Sequence, residues 1–324
     1  MVKESRQPKP GDVVLGGQNP PPLYAAVLGG IAGVKHRLST GTLAQQLATL
    51  SEALRYEGIG QDLLLQALNH SSETVQWAAY SLLWDRGTQI QWFGMESACQ
   101  ALKEYSQHQG LQAYYRFEDE NCIGKDYSGQ GNDGTTYGKV SLVNGIIGKA
   151  MQLGELESTS ITEPYCCLLI PNTLSQQEYS ISLWVYLGIQ FHHSLFMLEG
   201  GGGWTTSYFW LFTHDGKLAV LQNGVDCRHR SEFLHSQVLE ERRFYLVTVT
   251  YTNATLKIYL NQDEYATYFS VPPIAGSPKL INVGLSPSGT GRYQVKGKID
   301  ELRIYNRALT KTNISALYIL GVTD

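Results

Sequence analysis

The stretch Val295–Leu309 reads VKGKIDELRIYNRAL, a pattern typical of a β-strand that ends in a turn. Alternate side chains of a strand lie on opposite faces of its sheet, so Asp300 is predicted to share a face with Leu302 and Ile304. A carboxylate on an apolar face is costly to bury unless N–H donors, a cation or a metal ion compensate it. The sequence therefore predicts a partner for Asp300 elsewhere in the chain.

Two neighbouring stretches far upstream offer such a partner. Residues 117–120 read FEDE, and residues 126–134 read DYSGQGNDG, a run rich in glycines and side-chain oxygens. This composition is typical of a tight turn that either donates backbone amides inwards or coordinates a cation. Two hypotheses follow: the amides of this turn bind Asp300, or Asp300 belongs to a calcium site. The ligands of that calcium site are predicted to be Asp126, Asn132, Asp133 and Asp300.

The opening and closing strands of this region resemble those of a known family. Residues 110–117 read GLQAYYRF, and the closing motif is complete from Ile299 to Leu309. Together with the loop at 126–134 and the segment ISLWV at 181–185, they resemble the laminin-G-like jelly roll of the concanavalin A-like lectin and glucanase superfamily. The resemblance implies that the first and last strands lie side by side, and that many such domains carry a structural calcium near these positions.

Beyond residue 109 the hydrophobic period is two, and short strands alternate with turn signals such as Asp215-Gly216. The strand at 179–187 has apolar residues on both faces, which indicates an inner strand of a two-layer sandwich. Further strands are predicted at 168–170, 208–212, 217–221, 244–251, 255–260, 264–269 and 280–285, followed by a helix at 310–320. We therefore predict an all-β two-sheet jelly-roll sandwich at residues 110–322.

Residues 39–106 have a helical period instead. Leu43, Leu47, Leu50 and Leu54 keep the spacing of one helix face, a second helix is predicted at 61–68, and further helices at 73–83 and 96–105. The third of these resembles half of a HEAT-type repeat, which often binds other proteins. Because a solenoid needs three or more units, we predict a small all-α HEAT-like module after a Gly/Pro-rich leader at residues 1–38. The fold class is α+β multidomain.

The composition limits the possible partners. The 324 residues carry a net charge of −4, which argues against affinity for nucleic-acid backbone or anionic membrane. The first residues lack the apolar core of a signal peptide, and no run reaches the ~18 apolar residues of a spanning helix, so a cytoplasmic location is predicted. An odd count of 5 cysteines fits neither a disulfide framework nor a zinc site, and no other cofactor is indicated.

The residues with chemical potential favour binding over catalysis. Glucanases on this fold use a strand with the pattern Glu-x-Asp-x-x-Glu, which is missing here, so the chain is predicted not to be an enzyme. The neighbours His192 and His193 are expected to point to opposite sides of a strand and so not to share one metal ion.

Two glycine-rich loops carry aromatic and basic residues suited to ligand contact. The predicted ligand-binding residues are Trp204, Tyr208, Arg292 and Tyr293. Trp210 is expected either to lie near this site or to belong to the core. The first hypothesis is a non-enzymatic protein that recognises a glycan and carries a helical protein-interaction module. The second is a protein-interaction adaptor without sugar binding, and the third, ranked last, is a glycoside hydrolase.

Overall fold

The chain divides into two units, residues 1–98 and 99–324. A computed structural model gives their architecture, and each unit is described by itself. The structure describes residues 30–87, 110–158, 166–189, 192–198, 208–229, 237–276, 279–285 and 293–322.

The described part of the first unit is helical. Its helices are α1 (Gly30–Thr40), α2 (Leu43–Ala53), α3 (Glu57–Ala67) and α4 (Glu73–Gly87), with a short 3-10 turn at Leu54–Tyr56. Thr42 begins α2 with a reciprocal cap, because its hydroxyl accepts from the Gln45 amide and the Gln45 side chain accepts from the Thr42 amide at 2.9 Å. These bonds satisfy amides that the first turn of a helix leaves without partners.

Three of the predicted helices are present as α2, α3 and α4, although their limits differ. Helix α1 begins inside the predicted leader, since Ile31, Val34 and Leu38 supply an apolar face there. Helix α3 begins at Glu57, four residues before the predicted start, and Gly58 lies within it instead of ending α2. The predicted helix at 96–105 lies outside the described residues. The likeness to a HEAT repeat stays a prediction, because a few short helices do not define a repeat.

The second unit contains two antiparallel β-sheets that form a sandwich, consistent with a jelly roll. In the described residues, sheet I contains β1 (Leu111–Tyr115), β3 (Val140–Asn144), β4 (Lys149–Leu153), β6 (Tyr179–Leu187), β11 (Phe244–Thr252), β12 (Thr255–Leu260), β13 (Asp263–Tyr268) and β15 (Gly297–Tyr305). Sheet II contains β2 (Thr135–Tyr137), β5 (Cys167–Pro171), β7 (Ser194–Leu198), β8 (Phe209–His214), β9 (Lys217–Gln222), β10 (Val225–Asp226) and β14 (Leu280–Val283). Helix α5 (Lys311–Val322) follows the last strand.

The order of sheet I is β13-β12-β11-β6-β15-β4-β3, with β1 also paired to β15. The order of sheet II is β10-β9-β8-β7-β14-β5-β2. The core between the sheets is built from alternate residues of both, such as Leu183 and Val249 from sheet I and Leu211 and Ile281 from sheet II. This arrangement leaves each sheet with one outer face, and the two outer faces differ in kind.

Strand β15 is the centre of sheet I and joins the two ends of the domain. One edge pairs with β6, while the other pairs with β4 over its first residues and with β1 over its last. The predicted contact between the first and last strands is therefore present, with Leu111 opposite Tyr305 and Tyr115 opposite Leu302.

The predicted face of Asp300 is wrong, although its burial is confirmed. The pairing of β15 with β6 shifts between Asp300 and Arg303, and Glu301 has φ of 51°, as in a β-bulge. Since the bulge breaks the alternation, Leu302 and Ile304 face the core while Asp300 lies opposite Trp184 on the outer face.

Helix α5 packs on that outer face of sheet I. Tyr318 stacks on Trp184 with ring centroids 5.7 Å apart, and Thr310 caps the helix by accepting from the Asn313 amide at 3.2 Å. In the described part of the chain, no helix combines the length and apolar character needed to cross a bilayer.

Candidate functional site

The carboxylate of Asp300 is held by backbone amides of the turn at residues 145–148, which joins β3 to β4. Ile146 and Ile147 donate to Oδ2 at 3.0 and 3.2 Å, and the amide of Glu301 donates to Oδ1 at 2.8 Å. A Cβ on Gly145 would lie 2.3 Å from Oδ2, so glycine is required for this approach. The hypothesis that backbone amides of a turn bind Asp300 is confirmed. The predicted turn at 126–134 is wrong, because sequence order does not show which turn lies next to β15.

Glu118 binds the other end of the same turn. Its Oε1 accepts from the Lys149 amide at 2.9 Å, so one of the predicted stretches does meet the partner of Asp300. Burial is the main cause that raises the pKa of Glu118 above its usual value. Two carboxylates from the first and last strand regions therefore fix one hairpin turn.

A buried ionic network continues from Asp300 along β15. Tyr114 donates its hydroxyl to Oε2 of Glu301 at 2.6 Å, and Arg303 bonds both Glu301 and the Tyr114 hydroxyl, the latter at 2.7 Å. Burial, and then the neighbouring Glu301, raise the pKa of Asp300 well above its usual value. Asp300 and Glu301 are each 0% exposed, so this network supports the fold and offers no surface to a ligand.

The loop at 126–134 is closed by its own hydrogen bonds. Oδ1 of Asp126 accepts from the amides of Tyr114 and Ser128 at 2.9 and 2.8 Å. Oδ2 accepts from the Ser128 hydroxyl and the Asn132 amide, both at 2.8 Å. Asp133 accepts from the Asp126 amide at 2.8 Å. The loop thereby ties itself to β1.

The four residues predicted to bind calcium fall into two separate sites. The structure brings Asp126, Asn132 and Asp133 together in one loop, whereas Asp300 binds the turn at 145–148. Both carboxylate oxygens of Asp126 and of Asp300 already accept N–H or O–H donors, which a cation would have to displace. These two residues therefore do not fit the predicted calcium site, and among the described residues no group of three His, Cys, Asp or Glu is arranged to hold a metal ion.

The four predicted ligand-binding residues do not form one described cluster. Trp204 and Arg292 lie outside the described residues. Tyr208 packs against the main core between the sheets, and its ring lies next to Gly276. Tyr293 packs on the opposite side, against a second apolar cluster on the outer face of sheet II. Of the two that lie within the described residues, Tyr293 therefore belongs to the outer face of sheet II and Tyr208 does not.

Alternate residues of β8 place a row of rings on the outer face of sheet II. Trp210 and Phe212 stack with centroids 4.1 Å apart, and His214 continues the row at the end of the strand. The Trp210 indole donates to the Ser194 hydroxyl at 2.9 Å, which fixes its ring. Trp210 and Phe212 are 1% and 2% exposed, so they form the floor of this face. We call Trp210, Phe212 and His214 the β8 row.

Half-buried side chains flank the β8 row on the β7 side. His192 stacks on His214 with centroids 4.5 Å apart and an interplanar angle of 23°. Tyr293 lies edge-on to Trp210 at 5.8 Å and 6.0 Å from His192. The expectation that His192 and His193 point to opposite sides is confirmed, because His193 is buried and its Nδ1 accepts from the Lys296 amide at 3.3 Å.

An arginine flanks the row on the β10 side. The Arg228 guanidinium lies 5.3 Å from the Phe212 ring centroid, and its Nε donates to both Asp226 oxygens at 3.0 Å. Burial works in the other direction, but the hydrogen bonds from Arg228 hold the pKa of Asp226 below its usual value. Burial, followed by the neighbouring His192, lowers the pKa of His214. We call His192, His214, Arg228 and Tyr293 the sheet II rim.

The sequence pattern contains the signal for this face. Residues 209–214 read FWLFTH and precede an Asp-Gly turn, so period two already places Trp210, Phe212 and His214 on one side. The pattern does not show which face of sheet II is outside. It also does not show that Arg228, which follows β10, lies over the Phe212 ring.

Comparison with known proteins agrees with this architecture. Residues 162–315 match the laminin G model of the concanavalin A-like lectin/glucanases superfamily. Domain 4 of AbnA, a GH43 extracellular arabinanase from Geobacillus stearothermophilus solved with arabinotriose, superposes with a TM-score of 0.51 and 23% identity. That match covers 64% of this chain and 98% of the arabinanase domain, and at this identity it shows the fold.

Two larger binding domains are also similar. The binding domain of Paraclostridial Mosquitocidal Protein 1 gives a TM-score of 0.47 at 16% identity over 64% of this chain. The binding domain of botulinum neurotoxin DC in complex with rat synaptotagmin II gives 0.47 at 13% over 65%. This chain spans only 52% of each of those two structures. The comparison with curated proteins returned no match.

Proposed function

We propose that this chain, whose residues 162–315 match the model of the concanavalin A-like lectin/glucanases superfamily, is a non-enzymatic protein that binds a glycan on the outer face of sheet II. The observation that carries the proposal is the group of half-buried side chains, Tyr293 on one side and Arg228 on the other, held over the buried floor of the β8 row.

The chemistry of this face suits a sugar. The apolar side of a pyranose or furanose ring packs on aromatic surface, while its hydroxyls take hydrogen bonds from nearby polar groups. Tyr293 is half-buried and its ring lies nearly perpendicular to that of Trp210, which places an aromatic side chain at the rim. The side chains of His192, His214 and Arg228 supply donors within the same region.

The carboxylates of this face favour a binding role over glycoside hydrolysis. Glycoside hydrolysis uses a pair of carboxyl groups about 5 to 10 Å apart, one as acid and one as base or nucleophile. Of the carboxylates near the described β8 row, Asp226 is bonded through both oxygens to Arg228, and Asp215 lies in the exposed turn after β8. An acid already bonded to a guanidinium is poorly placed to donate a proton to a leaving group.

The test is a titration of the full chain with a panel of oligosaccharides that starts with arabinotriose, the sugar bound by the similar arabinanase domain. Binding is measured by calorimetry and by tryptophan fluorescence. We expect at least one sugar to bind and Tyr293→Ala to weaken it about tenfold, which corresponds to about 1.4 kcal/mol of lost contact energy. Tyr137→Ala is the matched control, because Tyr137 is an exposed tyrosine on β2 at an outer edge of the same sheet.

Failure to bind any sugar would remove this function. Equal loss in both tyrosine variants would place binding elsewhere. Trp204→Ala and Arg292→Ala belong in the same titration, since the sequence predicts both as ligand contacts.

A second candidate, docking of a protein partner on the helical unit, is favoured by two exposed apolar residues. Leu43 is 46% and Ile59 54% exposed, so each presents apolar surface that a partner could cover. The double variant Leu43→Asp, Ile59→Asp should abolish capture of any partner that a pull-down with the wild-type chain returns reproducibly. A partner retained by that variant would argue against the helical surface.

A further inference from the structure

We propose that the sheet II rim selects sugars bearing a carboxylate or sulfate group, and that the stacked pair His192 and His214 makes this recognition stronger in acid. The proposal rests on the glycan-binding role above and names the ligand class of the same face. It is carried by the geometry of the pair and by the charges around it.

The two imidazoles are too close to charge independently. Their centroids lie 4.5 Å apart in nearly parallel planes, so protonating both rings would place like charges in contact. An anion lying at the edge of the stack would offset that repulsion, because each protonated ring presents N–H donors at its edge. A neutral hydroxyl gives no such compensation, which is the basis of the selectivity.

The other charges near the pair leave room for an anion. Arg228 is neutralised by its bonds to Asp226, and Asp226 also lies 3.8 Å from the exposed His229. Asp215 is 3.7 Å from His214, but it is 77% exposed and screened by water. Lys217 pairs across the hairpin with His214, and Tyr293 lies beside His192. When both histidines are neutral, the positive charges of Arg228 and Lys217 nearly cancel the negative charges of Asp226 and Asp215. Each proton that a histidine then takes up adds positive charge.

The direction of the pH effect follows from linkage. Burial and the charge of His192 lower the pKa of His214, whereas Asp215 and Asp226 raise it by less, so His214 is neutral near neutral pH. An anion binds the protonated form more tightly and therefore raises the pKa of His214. Affinity then increases as pH falls, by at most about tenfold per pH unit for one proton taken up.

The experiment is calorimetry on the full chain at constant ionic strength, at about pH 7.5 and about pH 5.5, which bracket the usual histidine pKa. The probes are trigalacturonic acid, arabinotriose as a neutral sugar, and sodium sulfate alone. We expect trigalacturonic acid to bind about tenfold tighter at the lower pH and arabinotriose to change less than about twofold. Sulfate alone should bind at least tenfold more weakly than the acidic sugar.

Histidine variants test the pair itself. His192→Gln and His214→Gln should each remove most of the pH effect on trigalacturonic acid, while His36→Gln, an exposed histidine of α1, should leave it intact. Near-ultraviolet circular dichroism checks folding, and His192, which is more accessible than the floor of the face, provides a second variant if His214→Gln unfolds.

The outcomes separate this proposal from the glycan-binding role. If neutral and acidic sugars bind equally at both pH values, the anion selectivity is overturned and the binding face stands. If sulfate binds as well as the acidic sugar, the sugar part of the ligand class is overturned. If no sugar binds at either pH, the glycan-binding role is lost, and this inference with it.

Discussion

The two outer faces of the sandwich each contain a buried tryptophan, but the side chains around it differ. On sheet I, Trp184 is covered by Tyr318 of helix α5, and the adjacent Asp300 is saturated by backbone amides. On sheet II, Trp210 is also buried, but half-buried side chains lie beside it, since Tyr293 is 5.8 Å from its ring and His192 is 6.0 Å from Tyr293.

The difference teaches where to look for function. Sheet I is covered by helix α5, so the described network at Asp300 and Glu301, which is fully buried, contributes to stability and not to a ligand surface. Sheet II combines a rigid aromatic floor with titratable side chains that retain exposure, a combination typical of recognition surfaces. The comparison therefore predicts that changes on sheet I alter folding and that changes on sheet II alter binding.

The largest expected difference in stability is between removal of Asp300 on sheet I and removal of Asp226 on sheet II. Asp300→Ala leaves the amides of Ile146, Ile147 and Glu301 buried without an acceptor, at about 1 to 3 kcal/mol each, so unfolding free energy should fall by about 3 kcal/mol or more. Asp226→Ala, on the sheet II side, removes bonds to Arg228 alone, whose side chain stays partly in water, so it should cost less, about 1 to 2 kcal/mol. Urea denaturation measures both. Equal losses would mean that the two faces do not differ as described.

A smaller effect is expected where α5 meets sheet I. A Cβ on Gly321 would lie 2.4 Å from the Trp184 ring, so Gly321→Ala should destabilise the domain by about 1 to 3 kcal/mol. The matched control is Gly58→Ala in α3, where no atom lies within 4 Å of the added Cβ. That change should be stabilising by about 0.5 to 1 kcal/mol, because alanine favours a helix. A neutral Gly321→Ala would show that α5 does not seal this face.

The buried His193 should make the stability of the domain depend on pH. Burial lowers the pKa of His193, so the stability that its neutral ring contributes is present above the usual histidine pKa and is lost as pH falls below it. Thermal melts between about pH 7 and pH 5 should show a loss of about 1 kcal/mol that His193→Gln reduces. His192→Gln should leave this loss unchanged and act on ligand affinity only. If His192→Gln reduced the loss of stability and His193→Gln did not, the positions given to the two rings would be contradicted.

The smallest expected effect concerns calcium. Because Asp126 and Asp300 already have N–H and O–H donors on both oxygens, millimolar calcium and a chelator should give the same melting temperature within error. A rise with calcium would restore the predicted site. Asp133→Asn would then test it, since Asp133 bonds only the Asp126 amide in the contacts seen here.

Much of the sandwich could be predicted because its signals are local. The strands at 179–187 and 255–260 and the turn at Asp215-Gly216 follow directly from period and turn chemistry, and the structure has them within those limits. The burial of Asp300 was also predictable, but its face was not, because a bulge at Glu301 resets the alternation without any mark in the sequence. Its partner turn was missed for a related reason, since two glycine-rich turns are available and only three-dimensional proximity chooses between them.

The candidate site was predicted less completely. Tyr293 was identified from a glycine-rich loop, but Tyr208 was grouped with it although the two side chains lie on opposite sides of sheet II. The sequence presents His192 only as one of two adjacent histidines, and its stack on His214 depends on the pairing of β7 with β8. Contacts between strands far apart in sequence decide such sites, and a single sequence does not record them.

The position of β15 has a consequence for how this protein is made. That strand sits between β6 on one edge and β4 and β1 on the other, so sheet I has no centre until residues 297–305 have been synthesised. Strand pairing over such long separations is slow, and the unpaired edges of β1, β4 and β6 remain open to wrong partners until then. Nascent chains that end before Gly297 should therefore stay sensitive to protease, and release of the finished chain should be followed by rapid protection of the whole sandwich.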